Sequence, residues 1–152
     1  MITRPTTEVL ILDCCRELMD AILPALTDET LKLRLVMTET VLRNAAVRAA
    51  HETAWMFAET SDLMAYAAQV ASGHESEPLR AAIAAAEAGP SDSLHLADVA
   101  DRYERAGQAF AVALAVAQEA GAADLVAQAR ELLRARIATE KEVMATYAVV
   151  GR

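Results

Sequence analysis

The sequence predicts an all-α protein: an antiparallel bundle of four long helices and one short helix, with one unusually long central helix. Three observations carry that expectation. Composition is 55% hydrophobic yet only 4% aromatic, and alanine, the best helix former, supplies much of the apolar content. Apolar or small residues recur at alternating spacings of four and three over long stretches, the signature of a helix packed against near-parallel neighbours. The five glycines and four prolines fall mostly at segment edges, as breakers should. Nothing alternates with period two for long enough to make a strand.

The first helix is announced by Pro5, Thr6 and Thr7 with Glu8 behind them, a start with an acid in the first turn. From Val9 to Leu26 its apolar face is broad, and Pro24 bends or stops it. Thr27 is the expected N-cap of the long helix, with Asp28 and Glu29 complementing its dipole. That helix runs from Asp28 to about Ala71, with Gly73 ending it. At a rise of ~1.5 Å per residue it is on the order of 65 Å long. Its seam is Leu31, Leu35, Thr38, Leu42, Ala45, Ala49, Met56, Leu63, Tyr66 and Val70, supported by i,i+4 pairs of Asp28 with Lys32 and Glu39 with Arg43. Thr60-Ser61-Asp62 is its weak point, because all three compete for backbone hydrogen bonds. The seam keeps its phase across them, so continuity is expected.

Ser76 caps a short helix from Glu77 to Ala88, with Pro78 in its first turn and Leu79 and Ile83 as its large anchors. Gly89-Pro90 and the polar Ser91-Asp92-Ser93 connect it to a helix from Leu94 to Ala120. The seam there is Leu96, Val99, Tyr103, Ala106, Phe110, Ala113, Ala117 and Ala120, small enough in places for another backbone to approach closely. Gly121 is a C-cap. The last helix runs from about Ala122 to Ala148 with a stripe at Val126, Ala129, Leu133, Ile137, Met144 and Ala148. Short connections between long amphipathic helices predict the antiparallel bundle. The 152 residues read as one domain, 1–152, with no repeat or linker.

Charge narrows the function classes. A net charge of −8 repels phosphate backbones, so no nucleic-acid partner is expected. No apolar run approaches the ~20 residues of a membrane span, and the N-terminus lacks the layout of a signal peptide. Adjacent Cys14 and Cys15 point about 100° apart on a helix, which suits neither a disulfide nor a metal clamp. A cytoplasmic protein with two small thiols is expected.

Three constellations bear on chemistry. Glu52 and Glu59 interrupt the seam of the long helix on either side of Met56, and Glu140 falls in the gap of the last stripe. Carboxylates projecting into a bundle core build di-iron sites, which also need Glu-x-x-His on two helices. The residues three before the histidines are Arg48, Ala71 and Asp92, so that motif is absent. His51-Glu52 fails as a zinc-protease motif at Trp55. Neither metal nor cofactor is expected, and Glu52 is expected to pair with a basic residue on a neighbouring helix, Arg136 first. Asp92, His95, Asp98 and Asp101 follow a spacing of three, which dipole complementation at a helix start explains. Trp55, Met56, Phe57, Met64 and Tyr66 suit a core, or else an apolar ligand cavity. No phosphate loop, nucleophile elbow or Ser/His/Asp arrangement is present, so no enzyme is expected.

The stretch Leu18 to Leu26 has a Leu-x-x-x-Ile-Leu-Pro-Ala-Leu-like pattern, and Leu-Arg-Leu-Val follows at Leu33 to Val36. Through these, residues 9–52 resemble the N-terminal part of a small helical actinobacterial family of unknown function. Its members accompany, or are fused to, aminoglycoside-phosphotransferase-like kinases and acyl-CoA dehydrogenases. The family's Arg-Val-x-x-Asn is here Arg34-Leu35-Val36, with no asparagine before Asn44. The resemblance implies an accessory subunit for a kinase or oxidoreductase acting on acyl-type substrates, and it transfers no catalytic residue. The expectation is a non-enzymatic accessory or scaffolding bundle that self-associates, most simply as a dimer, or binds a partner enzyme. The alternative is a bundle holding a small apolar or acyl ligand at Glu52, Trp55, Met56, Glu59, Arg136 and Glu140, and third comes a carboxylate-layer metalloprotein.

Overall fold

Residues 7–25 form a single helical run whose character changes as it nears its proline. In the computed structural model, which describes residues 4–89 and 92–144, α1 is Thr7–Glu17, a π turn covers Leu18–Ile22, and α2 is Leu23–Ala25. Pro24 has no N–H for the Asp20 carbonyl, and its ring crowds that carbonyl. The preceding turn widens accordingly, with the Leu23 N–H bonded to the Leu18 carbonyl. Thr6 caps α1 by accepting from the Val9 N–H at 3.4 Å.

The long helix α3 is Glu29–Gly73, 45 residues without a break, so Thr60-Ser61-Asp62 interrupt nothing. Its cap is Asp28 rather than Thr27. The Asp28 carboxylate accepts from the N–H groups of Thr30 at 2.7 Å and Leu31 at 3.2 Å. Lys32 consequently pairs with Glu29 at 2.7 Å instead of with Asp28. The remaining helices are α4, Glu77–Glu87, α5, Leu96–Glu119, and α6, Ala123–Met144. Ser76 caps α4 as expected, accepting from the Leu79 N–H at 3.3 Å. The helix α5 starts two residues later than expected, after Ser93 has bonded both the His95 N–H and the Asp98 carboxylate. Gly121, at φ 66°, ends α5 in a Schellman turn, where the Ala122 N–H reaches the Ala117 carbonyl at 2.9 Å. Among the described residues there is no strand, and the all-α class holds. The expected end of the last stripe, Ala148, lies outside the described residues.

Contacts divide the chain into two compact units, with the boundary inside α3 between Glu52 and Thr53. Unit 2, residues 53–139, carries the aliphatic core. Leu63, Tyr66, Ala67 and Val70 of α3 meet Leu79 and Ala86 of α4, the alanine ridge Ala106, Ala109, Ala113 and Ala117 of α5 with Phe110, and Ala129 of α6. Four alanines on one face bring the α5 backbone close to its neighbours, as the small seam predicts. Tyr66 and Phe110 pack with ring centroids 5.1 Å apart and tilted by 52°. Four expected seam positions of this unit are exposed, Leu96 of α5 and Ala120 just beyond it among them. Leu133 and Ile137 of α6 are exposed, and Leu132, one residue earlier, packs on the core instead.

Unit 1, residues 1–52 and 140–152, is built differently. The buried positions of its α3 segment are Glu39, Thr40, Asn44 and Ala46, three of them polar. Glu39 is ion-paired with Arg43 one turn on, and Thr40 donates to the Val36 carbonyl at 3.0 Å. Cys15 of α1 is fully buried, its thiol 3.9 Å from the Glu39 carbonyl oxygen, whereas Cys14 is exposed. The expected seam residues Leu31, Thr38 and Ala49 are exposed. The inward register of this half is therefore shifted towards the polar residues.

Candidate functional site

Glu59 sits on α3 in unit 2, partly sheltered, where three helices reach one carboxylate. The Tyr103 hydroxyl of α5 donates to Glu59 Oε2 at 2.9 Å, and Arg136 Nε of α6 lies 3.7 Å from Oε1. The Arg136 guanidinium also lies 5.6 Å from the centroid of the Tyr103 ring. Each helix places its residue by spacing. Glu59 is one turn before the core residue Leu63, Tyr103 one turn before the core residue Ala106, and Arg136 one turn after the half-buried Leu132.

Beside this cluster is a cleft of about 140 Å³ bounded by Trp55, Glu59, Leu63, Leu132 and Arg136, with Asp62 among its polar walls. The structure thus brings together Trp55, Glu59 and Arg136 of the expected site residues. Met56 is half-buried but is not part of the cleft wall. Glu52 and Glu140 fall in unit 1.

The expected pairing of Glu52 with Arg136 is corrected. Glu52 accepts from Arg48, one turn back on its own helix, with Nε at 2.9 Å. Arg136 faces Glu59, seven residues and two turns further along α3. Both acids interrupt the same seam, and two turns of helix return to nearly the same face. A local arginine four residues away costs less chain order to engage than one on another helix, so Arg48 takes Glu52. The Arg48 guanidinium is pushed up from its ordinary range by that hydrogen bond and by the Glu52 charge.

Chemically the cluster is a carboxylate already satisfied by a phenol and a guanidinium. It cross-links α3, α5 and α6 beside an apolar cleft. Among the described residues no three His, Cys, Asp or Glu side chains gather where they could hold a metal ion. Asp98 of the Asp92-His95-Asp98 series accepts a hydrogen bond from the Ser93 hydroxyl just ahead of α5. Sequence reasoning placed Tyr103 in the seam but missed its bond to Glu59. The signal was the polar tip of a seam tyrosine, which needs a partner when buried. The chain matches no protein-family model, no curated protein and no solved structure. Among the described residues no helix is long and apolar enough to cross a membrane.

Proposed function

We propose that the chain is a non-enzymatic helical module that self-associates as a dimer through the first half of α3 and so serves as an accessory or scaffolding partner. One observation carries this reading. Leu33, Met37 and Val41, spaced by four on α3, are 55%, 57% and 53% exposed. A stripe of that spacing occupies one face of the helix and is the size and chemistry that a second helix covers. It belongs to the unit whose buried positions are largely polar, so this unit gains most from a partner. A second copy offers the same stripe, and a two-fold axis brings the two faces together.

Sedimentation velocity across a concentration series tests the proposal. A dimer at tens of micromolar is expected, converted to monomer by Met37→Glu, with helical content retained. A wild-type monomer throughout that range overturns it. A second reading, a small apolar or acyl ligand, rests on the cleft beside Trp55, whose volume is close to that of an engineered cavity that takes up benzene. Trp55 is the chain's single tryptophan. Its emission should therefore shift on titration with benzene or a short-chain acyl ester, and an emission that does not respond to either removes this reading.

A further inference from the structure

Unit 2 holds a second cleft, of about 320 Å³, away from the Glu59 cluster. Its walls are Thr60 and Met64 of α3, Ala86 and Glu87 of α4, Gly89 just beyond α4, and Arg102 and Arg105 of α5. Two guanidinium groups and the Glu87 carboxylate line this one cleft. Arg105 is fixed by an ion pair between its Nη1 and Asp101 on the same helix. That pair leaves the enclosed Arg105 Nε–H without an acceptor among the described residues. Arg102 lies over the Phe57 ring, 4.7 Å from its centroid, which braces its guanidinium from one side. Thr60 is only 8% exposed, and its hydroxyl has no hydrogen-bond partner among the described residues. Buried donors without acceptors are uncommon and costly in a native fold.

Gly89 is what makes the room. A Cβ at this position would come within 2.8 Å of Arg105 Nη2. The acids nearby are more exposed than Arg105. Glu87, at the edge of the cleft, is exposed, and the Asp101 side chain is 64% exposed against 24% for Arg105. Water and salt screen the acids more strongly than the enclosed guanidinium.

We propose that this cleft binds a small carboxylate with a short apolar tail. The guanidinium of Arg105 takes the carboxylate, since a planar fork of N–H donors matches two carboxylate oxygens. Met64 and Ala86 receive the tail, methionine adapting to its shape. The proposal is independent of self-association, because every wall residue belongs to unit 2.

The test is isothermal titration of the full chain with hexanoate and, separately, with hexanol at constant salt. Saturable hexanoate binding is expected, with hexanol roughly tenfold weaker or worse. Arg105→Gln and Gly89→Ala should each weaken hexanoate by roughly tenfold, with helical circular dichroism unchanged. Arg105→Lys, which keeps the charge and loses the fork, should fall between Arg105→Gln and wild type. Arg134→Gln, on the exposed side of α6 and lining neither cleft, should leave the affinity alone. Absent saturation, equal binding of hexanol, or a hexanoate affinity indifferent to Arg105→Gln and Gly89→Ala overturns the proposal.

Discussion

Tyr66 is 1% exposed, and its hydroxyl has no hydrogen-bond partner among the described residues. Burial pushes its phenol up from the ordinary 10.0. Cys15 is pushed up from 9.0 by burial first and by the Glu39 charge second, with Arg43 opposing. Both groups therefore hold their protons to higher pH in the folded chain than in the unfolded one. Their contribution is complete below about pH 9 and is lost as pH rises through the folded values. Urea midpoints between pH 8 and pH 10.5 should fall more steeply for the wild type than for a Cys15→Ala/Tyr66→Phe variant. Parallel curves would mean that neither proton is held. At neutral pH, Tyr66→Phe should be neutral or stabilising by up to about 1 kcal/mol, because it removes a buried donor that nothing accepts. Glu52→Ala should cost about 0.5 kcal/mol or less, since Arg48 is 56% exposed and water screens the pair. Tyr103→Phe should cost about 1 kcal/mol, because the bond to Glu59 spans two helices and is part-buried. Chemical denaturation of the three variants side by side checks that order.

At the scale of the helix, α5 shows what an alanine ridge imposes. Ala113 has no exposed surface and belongs to the same core as Tyr66 and Phe110. Ala113→Leu should destabilise by about 1–3 kcal/mol through overpacking, whereas Ala115→Leu, on the exposed side of the same helix, should stay within about 0.5 kcal/mol. Equal effects would place the ridge elsewhere. The contrast also explains which parts of the fold were legible beforehand. Where core residues are large and apolar, as at Leu63, Tyr66 and Val70, the four–three spacing identified the inner face of α3 directly. Where Glu39, Thr40 and Asn44 turn inward, the same rule chose the wrong face, because periodicity equates polar with outward. The stripe Leu33, Met37 and Val41 was overlooked for the same reason. At Glu59, spacing located a sheltered carboxylate on α3 but could not choose which of two acids, two turns apart, meets Arg136. Nor does spacing along one helix reveal that residues from α3, α4 and α5 converge on Arg102 and Arg105.

Across the whole molecule the charge of −8 bears on association. Two copies that meet through an apolar stripe bring like charges together, and that repulsion is long-ranged and screened by salt. The proposed dimer should therefore tighten as sodium chloride rises from about 0.05 M to about 0.5 M, read from the concentration dependence of the sedimentation coefficient. Loosening over that range would mean that charge pairs, not Leu33, Met37 and Val41, hold the copies together.

One helix here belongs to two units of unequal construction, with the boundary between Glu52 and Thr53. Amide protons exchange with solvent through local opening, and the free energy of opening follows the apolar packing around each segment. In α3 the amides from about Leu63 onward lie over the aliphatic core, while those around Glu39 to Ala46 belong to turns whose buried side chains are largely polar. Deuterium uptake should therefore change along a single unbroken helix, slow in its C-terminal third and fast in its N-terminal half. In the proposed dimer, dilution should accelerate the fast half, which carries the Leu33, Met37 and Val41 stripe. A helix that is continuous in space would then melt as two bodies in time.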